Sequence, residues 1–181
     1  AVATLDMIYV NGTPLADFYP EKTKYEYVIP TTSPKTVEPS LPEITYTQGQ
    51  ACERVSVAPA TRLGGTAVIS VTAEDGKAFK EYEITITAEP SHCADLTDIL
   101  VNNESLSGFK ASRTYYSTQV KGDQVLVDYS SEDRFQTVVV TNTENGKLLT
   151  VTAQDGKTTM TYTLNFSVAK LSDTTLKAIY I

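Results

Sequence analysis

Tryptophan is absent from this 181-residue chain, histidine occurs once, and cysteine and methionine occur twice each. A lone imidazole, His92, rules out a multi-histidine metal centre. Two cysteines, Cys52 and Cys93, are too few for a disulfide framework, and the body of the second half has none, so the fold does not depend on bridging. No cluster of lysine or arginine exists that could neutralise successive phosphates, and the net charge is −7, so nucleic acid and anionic membrane surfaces are poor partners. No apolar run reaches the roughly 20 residues of a membrane span, so direct membrane insertion is not expected. The lack of a charged-then-apolar leader at the start carries no information about compartment.

What the chain does have is an internal repeat. Leu5-Asp6-Met7-Ile8-Tyr9-Val10-Asn11 returns as Leu96-Thr97-Asp98-Ile99-Leu100-Val101-Asn102. It begins again at Leu176-Lys177-Ala178-Ile179-Tyr180-Ile181. Leu5, Ile8, Val10, Phe18, Tyr25 and Ile29 map without a gap onto Leu96, Ile99, Val101, Phe109, Tyr116 and Val120. A second landmark, Val71-Thr72-Ala73-Glu74-Asp75-Gly76-Lys77, recurs as Val151-Thr152-Ala153-Gln154-Asp155-Gly156-Lys157 at a smaller offset. The first copy is therefore the longer, and the proline-rich stretch Pro30 to Pro42 is read as its insertion. The expected domains are 1–90 and 91–170, with 171–181 as the first strand of a third copy, which implies a longer protein.

Hydrophobic residues make up 41% and charged residues 20% of the chain, enough to bury two small cores. Valine, threonine, isoleucine and tyrosine dominate the patterned segments, which favours strands. Period-two alternation predicts strands at Met7–Val10, Lys24–Ile29, Glu43–Thr47, Arg54–Ala58, Ala67–Ala73 and Glu81–Thr87 in the first copy. In the second copy it predicts Thr97–Val101, Tyr115–Val120, Gln124–Tyr129, Gln136–Thr141, Leu148–Thr152 and Tyr162–Val168. Asp75-Gly76, Asp155-Gly156 and Asn145-Gly146 read as type I′ hairpin turns. Short strands at this spacing, without helices, predict an all-β protein of two tandem antiparallel β-sandwiches, stacked end to end as a rod.

The run Leu-x-x-Ile-x-Val-Asn, then Leu15, Phe18 and Tyr25, then Val-Thr-Ala-Glu-Asp-Gly and Tyr82-Glu83-Ile84-Thr85-Ile86 resembles bacterial cadherin-like or immunoglobulin-like β-sandwich modules. Such modules occur in tandem in exported, Bacteroidetes-type surface proteins, often beside carbohydrate-active domains. The resemblance implies an extracellular or cell-surface-anchored bacterial location and no shared catalytic set. The expected function is a non-catalytic spacer and interaction segment of a larger protein, with an adhesion or carbohydrate-binding module as the alternative. An enzyme is not expected, and neither is a cofactor. The expected partners are neighbouring domains of the same polypeptide, and surface glycans or proteins.

Among chemistry-bearing residues, His92 and Cys93 are neighbours in an extended segment, where adjacent side chains diverge. The pair Glu74-Asp75 belongs to a turn, and Glu132-Asp133 is read in the same solvated way. Glu89, Asp95 and Asp98 flank the junction between copies, but the dense carboxylate run of a calcium site is missing. A Cys52–Cys93 bridge is sterically conceivable, with two free thiols as the alternative. Tyr25, Tyr82, Tyr116 and Tyr162 recur in both copies and are assigned to the core. The non-recurring tyrosines are the candidate ligand platform: Tyr27, Tyr46, Tyr115 and Tyr129, with Tyr19 beside them.

Overall fold

The computed structural model describes residues 2–122 and 124–169, and every regular element among them is a β-strand. The expected third-copy strand at 171–181 lies outside the described residues. The chain divides into two compact units. The first is Ala1–Thr32 with Val37–Pro90, and the second joins Ser33–Thr36 to the residues from Ser91 onward.

The first unit holds β1 (Leu5–Val10), β2 (Thr13–Pro14), β3 (Lys24–Ile29), β4 (Ile44–Gln48), β5 (Arg54–Ala58), β6 (Thr66–Thr72) and β7 (Phe79–Ala88). They form a three-stranded sheet, β2-β1-β4, and a four-stranded sheet, β3-β7-β6-β5. The second unit repeats this plan with β8 (Asp98–Val101), β9 (Glu104–Ser105), β10 (Tyr115–Val120), β11 (Val127–Ser130), β12 (Thr137–Thr143), β13 (Gly146–Thr152) and β14 (Thr159–Val168). Its sheets run β9-β8-β11 and β10-β14-β13-β12. Each four-stranded sheet contains one parallel pair, β3 with β7 and β10 with β14, within an otherwise antiparallel unit. The very short β2 and β9 escape the periodicity, because two residues carry no alternation to read.

Each core is closed by the apolar faces of both sheets. In the first unit Leu5 and Ile8 of β1 meet Ile69, Tyr82 and Ile84, all fully buried. In the second, Leu96 and Ile99 meet Leu149, Tyr162 and Leu164. The recurring tyrosines are buried with their hydroxyls satisfied, as a phenol in an apolar interior requires. The Tyr82 hydroxyl accepts from the Leu5 amide at 3.2 Å and donates to the Pro20 carbonyl at 2.7 Å. Tyr162 does the same with Leu96 at 3.2 Å and Ala111 at 2.9 Å. Burial pushes the Tyr162 phenol above its ordinary pKa. Phe18 stacks on Tyr25 at 5.7 Å, and Phe109 on Tyr116 at 5.6 Å, so the aromatic triads match as closely as the strands.

The turns differ from expectation in an informative way. Positive φ at both central residues occurs at Asn11-Gly12 and Asn102-Asn103, the end of the repeated Val-Asn motif, giving two-residue hairpins between β1 and β2 and between β8 and β9. Each asparagine also clamps the next strand. Asn11 Oδ1 accepts from the Glu43 amide and Asn102 Oδ1 from the Leu126 amide, both at 2.9 Å. At Asp75-Gly76 and Asp155-Gly156 only the glycine has positive φ, and the aspartates instead accept from the amides of Lys77 and Lys157. Neither Asn145 nor Gly146 has positive φ. The loop there is Glu144-Asn145, and Gly146 is required for another reason: a Cβ would stand 1.8 Å from the Leu164 carbonyl oxygen.

The extra length of the first copy is divided. Part is the proline-rich segment, and part is the loop Pro59 to Gly65, whose counterpart is the two-residue hairpin between β12 and β13. Leu63 and Ala60 of that loop pack against the first core.

Candidate functional site

The second unit takes in Ser33–Thr36 through a buried polar cluster. Lys35, Ser91 and Asp133 are 3%, 1% and 3% exposed. The Asp133 carboxylate accepts from the Lys35 amide and the Phe135 amide, each at 2.8 Å, and from the Ser91 hydroxyl. The Lys35 ammonium donates to Gln154 Oε1 at 3.1 Å and lies 4.9 Å from the centre of the Phe135 ring. Burial raises the Asp133 pKa, but the hydrogen bonds from Ser91, Lys35 and Phe135 outweigh it, and the carboxyl lies below its ordinary value. The reading of Asp133 as a solvated turn residue is thereby corrected. Alternation and turn composition give no signal for a carboxylate whose donors come from Lys35, so distant in sequence.

His92 is placed differently. Its ring is 66% exposed, and Nδ1 lies 2.8 Å from Asp155 Oδ2. Asp155 is held by the amides of Lys157 and Thr158, which with His92 push its pKa far below the carboxylate range. Asp75, its counterpart in the first unit, makes the same bond to Lys77 without a histidine, so the aspartate is first a turn residue. Cys52 and Cys93 are both free thiols. Among the described residues no group of three or more His, Cys, Asp or Glu is placed to hold a metal ion. Asp98 is engaged by the Ile99 amide at 2.8 Å and by the Ser105 hydroxyl.

The four candidate tyrosines fall in two settings. Tyr27 on β3 and Tyr46 on β4 are half-buried against the first core. Tyr115 on β10 and Tyr129 on β11 are exposed, on different sheets of the second unit. Tyr19 is exposed in the loop after β2. Tyr115 is the one anchored by a neighbouring side chain: Asn165 Nδ2 donates to its hydroxyl at 2.8 Å.

Tyr115 stands on the outward face of the four-stranded sheet. By register its row continues through Thr163 of β14, Leu148 of β13 and Thr141 of β12. The adjoining rows carry Ser117 and Asn165 to one side, and Thr161, Thr150 and Val139 to the other. Not one charged side chain projects from these strands on this face. The corresponding face of the first unit is different. Lys24, Glu26, Glu81, Glu83 and Arg54 all project from it, with Lys24 and Glu83 paired at 3.4 Å and Glu81 accepting from Ser70 at 3.0 Å. Register places Tyr115, Ser117, Thr161, Thr163 and Thr137 at the equivalent positions.

A cavity of about 550 Å³ opens at one end of the second unit, lined by Val120, Phe166, Val168, Asn142 and Lys147 among others. The hairpin residues Glu144 and Asn145 border it, the counterpart of the first unit's longer loop Pro59 to Gly65, from which Leu63 and Ala60 pack against the first core. No helix among the described residues is long and apolar enough to cross a membrane.

No family model matches the chain. Over an alignment of 141 positions that covers 72% of its length, the chain is 28% identical to an exo-beta-1,6-galactobiohydrolase of Bifidobacterium longum subsp. longum, and the match spans 9% of that protein. The expectation that this is not an enzyme is overturned by that finding, since the protein it is similar to is named as a galactobiohydrolase.

Proposed function

We propose that the chain is a segment of a larger, secreted or cell-surface bacterial enzyme acting on carbohydrate, in which two cadherin-like or immunoglobulin-like β-sandwiches serve as spacer and glycan contact. The similarity to the galactobiohydrolase carries this reading. The matched stretch is a small part of that enzyme, as it would be if the shared portion were a repeated module rather than the whole machinery. The exposed, anchored Tyr115 offers the apolar ring with a polar tip that sugar contact uses. Neighbouring domains of the same polypeptide and a neutral galactan are the partners this reading names.

Affinity electrophoresis through gels containing soluble β-1,6-galactan, other uncharged polysaccharides or none tests the glycan contact. Retardation in a neutral-glycan gel is the expected result. Equal mobility in all of them would overturn the glycan-contact role.

A further inference from the structure

We propose that the outward face of the sheet β10-β14-β13-β12 is the glycan-binding surface, and that it takes an uncharged polysaccharide laid across the strands. This rests on the carbohydrate reading above and assigns it a place.

The first support is the contrast between copies. A sheet of the same strand order and register carries charges on its outward face in the first unit, so the fold does not require a neutral one. Every charge there has an uncharged counterpart in the second unit, within a chain whose net charge is −7. An ion pair at the Lys24–Glu83 position has become Tyr115 beside Thr163.

The second support is the chemistry of what replaced the charges. Threonine, serine and asparagine side chains donate and accept hydrogen bonds without charge, which matches a ligand whose groups are hydroxyls. Tyr115, 53% exposed, and Val139, 61% exposed, with the half-buried Leu148, add apolar surface for the faces of sugar rings. The Asn165 amide holds the Tyr115 hydroxyl, which reduces the ordering cost on binding. Four strands spaced about 4.8 Å apart give an open platform rather than a pit, suited to a chain rather than a monosaccharide.

Other partners fit less well. Nucleic acid needs cations, and among the described residues the strands of this face project none. Protein interfaces draw their binding energy from Trp, Tyr and Arg, with Ser and Thr under-represented, and Tyr115 alone meets that description here.

The test is affinity electrophoresis of the full chain in soluble β-1,6-galactan, with sedimentation and thermal unfolding in parallel. Tyr115→Ala and, separately, Thr161→Asp should each weaken binding at least tenfold, while Ser56→Asp on the first unit's sheet leaves it unchanged. Unfolding temperatures near that of the parent chain establish that the variants fold. Parent-like binding by both variants would overturn the assignment of this face and leave the carbohydrate reading standing. Absence of binding by the parent chain to any neutral glycan would overturn both. Equally strong binding to an acidic polysaccharide would overturn the neutral ligand class. A dimer dispersed by Thr161→Asp would give the face to a second copy of the chain instead.

Discussion

The outward faces of the two four-stranded sheets share strand order and pairing register, yet the strands of one project several charges and, among the described residues, those of the other project none. Lys24 and Glu83 pair at 3.4 Å where Tyr115 and Thr163 stand side by side in the second unit. Inward-facing positions behave oppositely: Tyr82 and Tyr162 make equivalent hydrogen bonds, and Phe18 and Phe109 equivalent stacks. Burial constrains the inner face of both copies alike, because a cavity or an unsatisfied phenol costs several kcal/mol. Solvent constrains the outer face weakly, so its composition is free to differ between the copies without cost to the fold.

The comparison breaks first at the core. Tyr82→Ala and Tyr162→Ala should each cost about 3–5 kcal/mol, as loss of a fully buried aromatic does, and by similar amounts if the cores are equivalent. Urea unfolding measures both. A large inequality would show that the two interiors differ more than their matched hydrogen bonds indicate.

Gly146 and its register counterpart Thr66 sharpen it next. Gly146→Ala forces a methyl into the Leu164 carbonyl and should cost about 1–3 kcal/mol, whereas Thr66→Ala, at an exposed position, stays within about 0.5 kcal/mol. The midpoints of chemical unfolding give the difference. Comparable costs would mean that the close approach at Gly146 is not what excludes a side chain.

Asp133 marks a third asymmetry, since it caps Lys35 whereas Glu53 in the first unit caps Thr4. Asp133→Ala leaves the donors of Lys35, Phe135 and Ser91 without their acceptor and should cost about 1–3 kcal/mol. Because the folded-state pKa lies below the unfolded value of about 3.9, this stabilisation is fully present above that value and is lost as pH falls through the lower folded pKa. Unfolding measured from pH 6 down to pH 2 should therefore show a steeper acid loss in the parent chain than in Asp133→Asn. Parallel curves would remove Asp133 from the acid response.

The smallest effect is expected from transplanting the charged pair. The double variant Tyr115→Lys with Thr163→Glu recreates the Lys24–Glu83 arrangement and should change stability by less than about 0.5 kcal/mol, as exposed ion pairs do. A thermal melt checks it. Substantial destabilisation would mean that neutrality serves the sheet itself rather than a ligand.

Much of this is legible in the sequence. Period-two alternation locates the longer strands, and recurrence marks Tyr25, Tyr82, Tyr116 and Tyr162 as core, but Tyr46 and Tyr129, taken as non-recurring, are counterparts opposite Ile8 and Ile99, which the unequal lengths of the copies conceal in the sequence. The turn chemistry was only half legible. Asn11 and Asn102 fit the left-handed region, but Asn145-Gly146 looks the same in sequence and does something else, since its glycine answers to a carbonyl on another strand. Tyr27 and Tyr115 are alike as non-recurring tyrosines, and alternation separates them: Tyr27 shares the face of Tyr25 and turns toward the first core, whereas Tyr115 adjoins the core residue Tyr116 and turns to solvent.

By itself the sequence determined that the chain is all-β and repeats, and which side chains alternate inward, because these follow from local geometry and hydrophobic pattern. Tertiary structure alone decided that Ser33–Thr36 joins the second unit, that Asp133 is buried, and that one outward sheet face collects only uncharged side chains. Each of these depends on which distant strands and loops become neighbours, and pairing across such separations is set by the packing of the whole unit rather than by any local run of residues.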